Sequence, residues 1–299
     1  MEISVLVCTY NSSEKNISYT LDSIMAQKYE DYEVIIADDG SADNHEEFIK
    51  NYFLRHDFRR YKLRLSKTNV GTIRNIYEGA MIASGTYIKP IGAGDAFAHK
   101  SVLSNAVSFM KRENAMIMFT DMRLFSNTSQ GIVFYQNTTI PHKMKPWKTP
   151  EKPEEILENI IVYNDQISGA SMFYERKYLQ NMMLILEKSV VYTEDLCQYI
   201  ALLEGQRICY FPQCCILYEC ETGISTNPIA SNKERIVKDK NNFMDEIFEK
   251  YGDNPYVKRR KKIEYIERTE SKRYLKGIKK TLAEPRWLFF RLSYLINKI

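Results

Sequence analysis

The stretch YEVIIADDGS at residues 32–41 decides the fold class of this chain. Its near-continuous apolar run ends in two acids and a turn, which is typical of a strand buried on both faces of a parallel sheet. A similar run, ISVLVC at residues 3–8, comes earlier and is followed by TYN at residues 9–11. Residues 16–27, between the two runs, carry apolar side chains at helical spacing. The three segments predict a β-α-β unit with polar residues at the carboxyl ends of its strands.

The alternation continues along the first half of the chain. It predicts helices at residues 44–55 and 72–83 and strands at residues 61–65, 87–91 and 115–120. The fold class is therefore α/β.

The rhythm changes after residue 121. Four prolines between residues 141 and 153 predict a long loop. A glycine turn at Ser168-Gly169 precedes a predicted helix start at Glu175, and Thr193 is a plausible N-cap for a helix over residues 196–204. Strand-like runs follow at residues 207–211 and 215–218, and the pattern beyond residue 231 is helical and charged.

The bulk composition is that of a soluble globular protein, with 44% hydrophobic and 27% charged residues in 299. The six cysteines show no CxxC pair, and there are only four histidines, so a zinc site is not expected. We expect reduced thiols in a cytoplasmic protein. The amino terminus lacks the basic start and long apolar core of a signal peptide.

The carboxyl-terminal segment is strongly basic. Residues 258–299 hold fourteen Lys or Arg against four Glu. This balance fits an anionic membrane surface, with the apolar residues 287–296 in the interface, or a solvated helix face. Binding of nucleic acid through the tail would be salt-sensitive, and nucleic acid is not expected as a partner.

Acidic residues follow predicted strands or begin a helix at three places. They are Asp38-Asp39, Asp95 and Glu194-Asp195. Because the carboxyl ends of parallel strands share one edge of a sheet, these carboxylates can converge on one ligand.

The order of the polar turns resembles that of the family 2 glycosyltransferases over about residues 1–225. The turns that carry the resemblance are Thr9-Tyr10-Asn11, Asp38-Asp39-Gly40-Ser41, Asn69 with Gly71, Arg74 and Asn75, Gly85 with Tyr87 and Ile88, and Asp95. The resemblance implies a single Rossmann-like nucleotide-sugar-binding domain with a mixed, mainly parallel sheet. We expect this domain at residues 1–228, with a nucleotide-binding half at 1–110 and an acceptor-binding half at 111–228, and a helical basic extension at 229–299.

The resemblance places a nucleotide pocket at the end of the first strand. Thr9, Tyr10 and Asn11 would line it, with Tyr10 stacked on a base and Asp38 or Asp39 accepting a hydrogen bond from the base. Tyr10 could instead be a packed surface aromatic, and the two acids a turn or cap pair. The further candidates are Asn69, Gly71 and Arg74. Arg74 would contact a diphosphate, or bridge Asp39 and a neighbouring acid.

Asp95 takes the position of the last acid in the family's metal-binding motif. Gly92 and Gly94 stand where the family often has acids, so a bound Mn²⁺ or Mg²⁺ would depend on the substrate's phosphates for other ligands. The structural alternative for Asp95 is a cap on a helix over residues 96–107.

Glu194-Asp195 resembles the family's acidic pair, with Asp195 as general base and Glu194 as its orienting neighbour. Favourable charge at a helix start is the alternative. The residues expected to shape the acceptor and donor sides are Ser168, Gly169, Gly223 and Ser225. Trp147 could stack on a sugar or simply pack.

These features predict an inverting transfer of a hexosyl or N-acetylhexosaminyl group. The donor would be a nucleotide sugar, with UDP the expected nucleotide, and the acceptor a glycan or lipid-linked hydroxyl at the cytoplasmic membrane face, as in polysaccharide biosynthesis. The alternative is a catalytically silent nucleotide-sugar-binding protein, since two of the motif's acids are missing. A dinucleotide-dependent oxidoreductase is excluded, because Gly92-Ala93-Gly94 follows a late strand and not the first.

Overall fold

The computed structural model of the chain describes residues 1–128, 131–135, 141–149, 152–220 and 230–296. Within these ranges, nine strands form one mixed sheet. Apolar side chains of the sheet pack into two cores, one on each face. The predicted α/β class is confirmed.

The amino-terminal half alternates strands and helices as predicted. Its elements are β1 (Ile3–Thr9), α1 (Glu14–Met25), β2 (Tyr32–Asp38), α2 (Glu46–Arg55), β3 (Tyr61–Leu65), α3 (Thr72–Ile82) and β4 (Tyr87–Gly92). The four strands are parallel, in the order β3-β2-β1-β4. Thr9 pairs with Asp38, and Cys8 pairs with Gly92. The carboxyl ends of β1, β2 and β4 therefore meet at one edge of the sheet.

The two cores follow from the two-residue period of the strands. In β1, Leu6 packs into one core while Val5 and Val7 pack into the other, and all three side chains are fully buried. Helices α1 and α2 cover the second face, and α3 covers the first. A strand buried on both faces must be apolar along its whole length, which accounts for the near-continuous apolar runs.

The second half begins at the short strand β5 and ends at the long strand β9. Its elements are β5 (Ala96–Phe97), α4 (Val102–Glu113), β6 (Ile117–Thr128), β7 (Gly131–Phe134), α5 (Lys145–Lys148), α6 (Pro153–Leu157), β8 (Met172–Glu175), α7 (Arg176–Leu186), α8 (Cys197–Leu203) and β9 (Ile208–Glu219). Three short helical turns lie among them, at Glu158–Val162, Gly169–Ser171 and Glu194–Leu196.

Strand β8 was not predicted. It lies between β4 and β6 and runs antiparallel to both, and Met172, Phe173 and Tyr174 are buried there. Four residues are too few to show a period, and the helix after the strand dominated the pattern. The helix start itself agrees with the prediction, since Glu175 is the N-cap and its carboxylate accepts a hydrogen bond from the Tyr178 N–H.

Two other predicted boundaries differ from the structure. The runs at 207–211 and 215–218 belong to one strand, β9, whose pairing with β6 shifts register near Asp121. The predicted proline-rich loop contains α5 within its described residues, and α6 begins at its last proline, Pro153. Trp147 of α5 is buried against Phe119, with ring centroids 4.8 Å apart, so it packs. It lines a cavity of about 850 Å³ that holds none of the predicted site residues.

The carboxyl-terminal segment is helical, as predicted. Its helices are α9 (Ala230–Lys250), α10 (Pro255–Thr269), α11 (Arg273–Ala283) and α12 (Arg286–Ile296). Phe243, Met244 and Ile247 of α9 are buried in the core that α3, α7 and α8 share. The core therefore continues from the sheet into this segment, and the boundary at 228/229 stays a prediction. None of the helices in the described ranges is long and apolar enough to cross a bilayer.

Candidate functional site

The first part of the site lies where β1 and β2 end side by side. Asp38 is buried and accepts hydrogen bonds from the Thr9 hydroxyl, at 2.8 Å, and from the Ser41 N–H, at 2.9 Å. These bonds hold the turn after β2 against the end of β1. The Asn11 N–H donates to the Ser41 hydroxyl at 2.7 Å, which fixes the predicted TYN turn in the same place.

Asp39 joins this edge to the turn before α3. Its carboxylate accepts hydrogen bonds from the Val70 N–H, at 2.7 Å, and the Gly71 N–H, at 3.0 Å. Gly71 has a φ of 88°, and a Cβ there would lie 2.3 Å from the Val191 side chain. Only glycine can occupy this position without displacing its neighbours.

A cavity of about 490 Å³ opens at this edge. Of the residues predicted to bind a nucleotide, Thr9, Tyr10, Asn11, Asp39 and Asn69 line it. Asp38 and Gly71 lie behind them and support the wall through the bonds above. Tyr10 is 46% exposed, so its ring is available to a ligand.

Arg74 is engaged elsewhere. Its guanidinium pairs with Glu78, at 2.6 Å, and with Glu187, at 3.1 Å. The predicted bridge between Arg74 and Asp39 is therefore wrong. Glu78 lies four residues after Arg74 on α3, a spacing at which helical side chains meet, and it pairs with Arg74 in place of Asp39. A direct contact to a diphosphate stays a prediction.

A second cavity, of about 240 Å³, gathers residues that are far apart in sequence. Asp95, Ser168, Gly169, Glu194 and Asp195 all line it. The two cavities adjoin, and they share the following lining residues: Cys8, Thr72, Gly92, Ala93 and Tyr192. The predicted convergence of the three acidic clusters at one edge of the sheet is confirmed. Gly223 and Ser225 lie outside the described residues.

The turn that carries Asp95 is held by a residue of α1. The buried Thr20 hydroxyl accepts a hydrogen bond from the Gly94 N–H, at 2.9 Å, and donates one to the Asp95 carbonyl, at 2.7 Å. Asp95 is not a helix cap, since Ala96–Phe97 is a strand and the next helix begins at Val102.

The Asp95 carboxylate is 8% exposed and accepts a hydrogen bond from the Glu219 N–H at 2.9 Å. Burial raises the pKa of Asp95 to about 7. In the described part of the chain, no three His, Cys, Asp or Glu side chains are grouped to hold a metal ion. The carboxylates of Glu194 and Glu219 do line the same cavity as Asp95. This oxygen donor set fits Mg²⁺ or Mn²⁺ when a ligand's phosphates complete the shell, but does not form a cage by itself.

The pair Glu194-Asp195 also lines the second cavity. Burial raises the pKa of Asp195 to about 6. Burial and the adjacent Asp195 carboxylate raise the pKa of Glu194 to about 7. Two neighbouring acids with raised pKa values in a cavity are typical of a site that moves protons near neutral pH.

The segment before this pair is fixed by α9. Thr193 occupies the N-cap position of the turn Glu194–Leu196, with both acids in its first turn as predicted, but its side chain makes no capping hydrogen bond. Its N–H and hydroxyl, and the Tyr192 N–H, instead donate to the buried carboxylate of Asp239. Asp239 belongs to the segment that the sequence analysis treated as a separate extension, and its role could not be read from the sequence.

Lys89 is a second residue that the sequence analysis missed. It is fully buried in β4, and its Nζ donates to the carbonyls of Pro90, Ala170 and Met172 at 2.7, 2.6 and 3.2 Å. It thus ties β4 to the turn that carries Gly169. Burial lowers the pKa of Lys89 to about 8, against the attraction of Asp95 and Glu194. A lysine inside an otherwise apolar strand was the signal that could have identified it.

The geometry can be compared with known proteins. Residues 4–180, more than half of the chain, match the family model described as glycosyl transferase family 2. The chain belongs to glycosyl transferase family 2. The predicted membership in the family 2 glycosyltransferases is thereby confirmed.

Two curated relatives support the family assignment. An uncharacterised glycosyltransferase of Haemophilus influenzae is 29% identical over 197 residues, which cover 64% of this chain and 57% of the relative. The UDP-Glc:alpha-D-GlcNAc-diphosphoundecaprenol beta-1,3-glucosyltransferase WfgD of Escherichia coli is 23% identical, over 79% of this chain and 82% of its own. The chain thus spans little more than half of the first relative's length.

Solved structures share the fold. S. aureus TarS residues 1–349, crystallised with UDP-GlcNAc, superpose with a TM-score of 0.60 at 21% identity, covering 83% of this chain and 67% of that one. At this identity the likeness concerns the fold alone.

Proposed function

We propose that this family 2 protein is an inverting glycosyltransferase. It moves a hexosyl or N-acetylhexosaminyl group from a nucleotide donor, which we take to be a UDP-sugar, to the hydroxyl of a glycan or lipid-linked acceptor. The observation that carries the proposal is the junction of the two cavities. It sets a pocket with an aromatic ring and a carboxylate directly beside a cavity with the acidic pair Glu194-Asp195.

The larger of the two adjoining cavities, of about 490 Å³ and lined by Tyr10 and Asp39, suits a pyrimidine nucleoside. The exposed ring of Tyr10 offers a face for stacking, and Asp39 offers carboxylate oxygens whose remaining lone pairs can accept the base N–H. Asp39 is the better candidate for this bond than Asp38, because Asp38 lies behind the wall. Thr9, Asn11 and Asn69 provide further polar contacts in the same cavity.

The smaller cavity suits the reacting sugar and the acceptor. Asp195 takes the proton of the acceptor hydroxyl as that oxygen attacks the anomeric carbon. The bond between this carbon and the diphosphate oxygen breaks, and the nucleoside diphosphate leaves with the bonding electrons. Attack from the face opposite the leaving group inverts the configuration. Glu194 orients Asp195 and, with Ser168 and Gly169, shapes the wall on the acceptor side.

Asp95 would hold Mg²⁺ or Mn²⁺ together with the donor's phosphate oxygens. The cation would offset the charge that builds up on the departing diphosphate. Since Asp95 brings few protein ligands with it, we expect weak metal affinity without nucleotide.

The absence of acids at Gly92 and Gly94 favours one competing candidate, a nucleotide-sugar-binding protein without catalysis. The raised pKa values of Glu194 and Asp195 support the enzyme, because a binding protein has no need of two buried acids beside its ligand.

We place the protein at an anionic, cytoplasmic membrane face through α11 and α12. Tyr274, Ile278 and Leu282 recur every fourth residue along α11 and are 65%, 54% and 78% exposed. On α12, Phe289 is 71% exposed. Apolar side chains on one helix face with lysines and arginines on the same helices suit the boundary between headgroups and acyl chains.

The test of the activity is a panel of nucleotide sugars. Purified protein is incubated with UDP-, GDP- and dTDP-linked sugars, with Mn²⁺, with Mg²⁺ and with EDTA, and release of the nucleoside diphosphate is followed. We expect slow hydrolysis of one or more UDP-sugars that needs a divalent cation. Nucleotide binding without turnover of any donor would establish the silent alternative.

A further inference from the structure

Helix α9 lies along the junction of the two cavities. Its Asp239 is 3% exposed, and the carboxylate accepts hydrogen bonds from the Tyr192 N–H at 2.6 Å and the Thr193 N–H at 3.2 Å. A buried carboxylate with backbone partners strongly favours one position of the helix. The placement of α9 beside the catalytic segment is therefore defined by specific bonds as well as by apolar packing.

Arg235 lies one helical turn before Asp239 and therefore on the same side of α9. It lines the larger cavity, and its guanidinium lies 5.3 Å from the centre of the Tyr192 ring. No carboxylate in the described ranges forms an ion pair with it. Its hydrogen-bonding edges are available to a ligand at the place where the two cavities meet.

The charges at the junction are unbalanced. Among the described residues that line the larger cavity, Asp39 is the acid and Arg235 is the only Lys or Arg. The smaller cavity presents four carboxylates and no lysine or arginine in its described lining: Asp95, Glu194, Asp195 and Glu219. Burial raises the pKa of Asp95, Glu194 and Asp195, and the buried Lys89 lies near Asp95 and Glu194, so part of this acidic charge is offset. The remaining acidic charge still disfavours a diphosphate at the junction, and a cation exposed in the cavity would favour its binding.

We propose that Arg235 binds the diphosphate of the nucleotide donor. The assignment rests on the proposed function and adds to it a residue outside the segment that matches the family model, which ends at residue 180. A guanidinium can donate two parallel hydrogen bonds to phosphate oxygens, and the stacked Tyr192 ring holds it in place. Arg235 thus adds positive charge beside the diphosphate. A cation held by the single protein acid Asp95 would neutralise the diphosphate only in part.

The experiment compares ligands that differ in their phosphates. UDP, UMP and uridine are titrated by calorimetry into the wild-type chain, Arg235→Ala and Arg235→Lys, each with Mn²⁺ and with EDTA. Lys233→Ala is the matched control, since Lys233 is an exposed cation on the same helix outside both cavities. Thermal unfolding of each variant checks that the fold is retained.

Arg235→Ala should weaken UDP binding roughly tenfold or more, in Mn²⁺ and in EDTA, and leave uridine binding unchanged. Arg235→Lys should lie between it and the wild type, and Lys233→Ala should match the wild type. Unchanged UDP affinity in Arg235→Ala, or an equal loss for uridine, would overturn the assignment while the proposed function stands. A wild-type chain that binds none of the three ligands would overturn both.

Discussion

Gly169 and Glu194 lie against each other in the lining of the smaller cavity, and Glu194 leaves no room for a side chain at position 169. A Cβ on Gly169 would lie 2.2 Å from Glu194 Oε1 and 3.4 Å from Asp195 Cβ. The turn before β8 and the acidic pair before α8 therefore position each other.

Gly169→Ala should reduce turnover by roughly a hundredfold, because the added methyl group displaces the carboxylates from the reacting atoms. Nucleotide affinity should change little, since the larger cavity is untouched. Gly277→Ala, on α11 with nothing near its Cβ, is the control and should be neutral or slightly stabilising. Full turnover in Gly169→Ala would show that the pair does not act in catalysis.

Asp195→Asn should lower sugar transfer by roughly a hundredfold or more while the Kd for UDP stays within about twofold, since only the base is lost. Rates are measured under saturating donor, and binding is measured separately by calorimetry. Unchanged transfer would remove Asp195 from the role of general base.

The rate should depend on pH through the same group. Because burial raises the pKa of Asp195 to about 6 in the free protein, the ionised base forms only as the pH rises through that value, so kcat/KM should climb between about pH 5 and 7 and then level off. The rising limb should be absent from the residual activity of Asp195→Asn. A limb that persists in this variant would assign the titration to another group.

The same shift predicts the sign of a stability effect. The folded chain retains a proton on Asp195 that the unfolded chain releases near pH 4, so ionisation costs the folded state stability as the pH rises toward 7. Relative to Asp195→Asn, the wild type should lose thermal stability over this window. Parallel melting temperatures of the two proteins from pH 4.5 to about 7.5 would contradict the shift.

Asp95→Ala should weaken UDP binding in the presence of Mn²⁺ by roughly tenfold or more and leave uridine binding unchanged. The reason is that Asp95 is the protein acid proposed to share the cation with the diphosphate. Binding is titrated with Mn²⁺ and with EDTA. If the wild type binds UDP equally well with Mn²⁺ and with EDTA, the metal assignment is wrong, whatever affinity Asp95→Ala shows.

Leu282→Glu should reduce binding to vesicles of phosphatidylglycerol roughly tenfold, because it replaces an apolar contact of α11 with a charge of the wrong sign. Leu54→Glu is the matched control: Leu54 on α2 is 77% exposed, against 78% for Leu282, but lies in another part of the fold. Co-sedimentation measures both variants. Equal losses, or no binding by the wild type, would contradict membrane docking through α11.

The sequence by itself determined the strands and helices whose apolar side chains follow a regular spacing. The apolar runs at 3–8 and 32–37 are short, rich in Val and Ile and followed by polar turns, which favours strands buried on both faces, and both runs form such strands. The polar residues after those strands, Thr9-Tyr10-Asn11 and Asp38-Asp39, had to meet at one edge, because parallel strands end at the same edge of a sheet. The nucleotide pocket and the role of Asp195 did not follow from this periodicity; the resemblance to the family suggested them, and they stay proposals.

The tertiary structure decided what depends on contacts between distant segments. Strand β8 is four residues long and is a strand only because β4 and β6 provide partners on both sides. Lys89 stands out in the sequence only as a lysine in an apolar strand, and Asp239 and Arg235 carry no local signal, since the groups that these three residues contact lie up to 83 residues away. Local sequence preferences cannot encode such contacts, because the hydrogen bonds and ion pairs of the site join distant segments and form only in the folded chain.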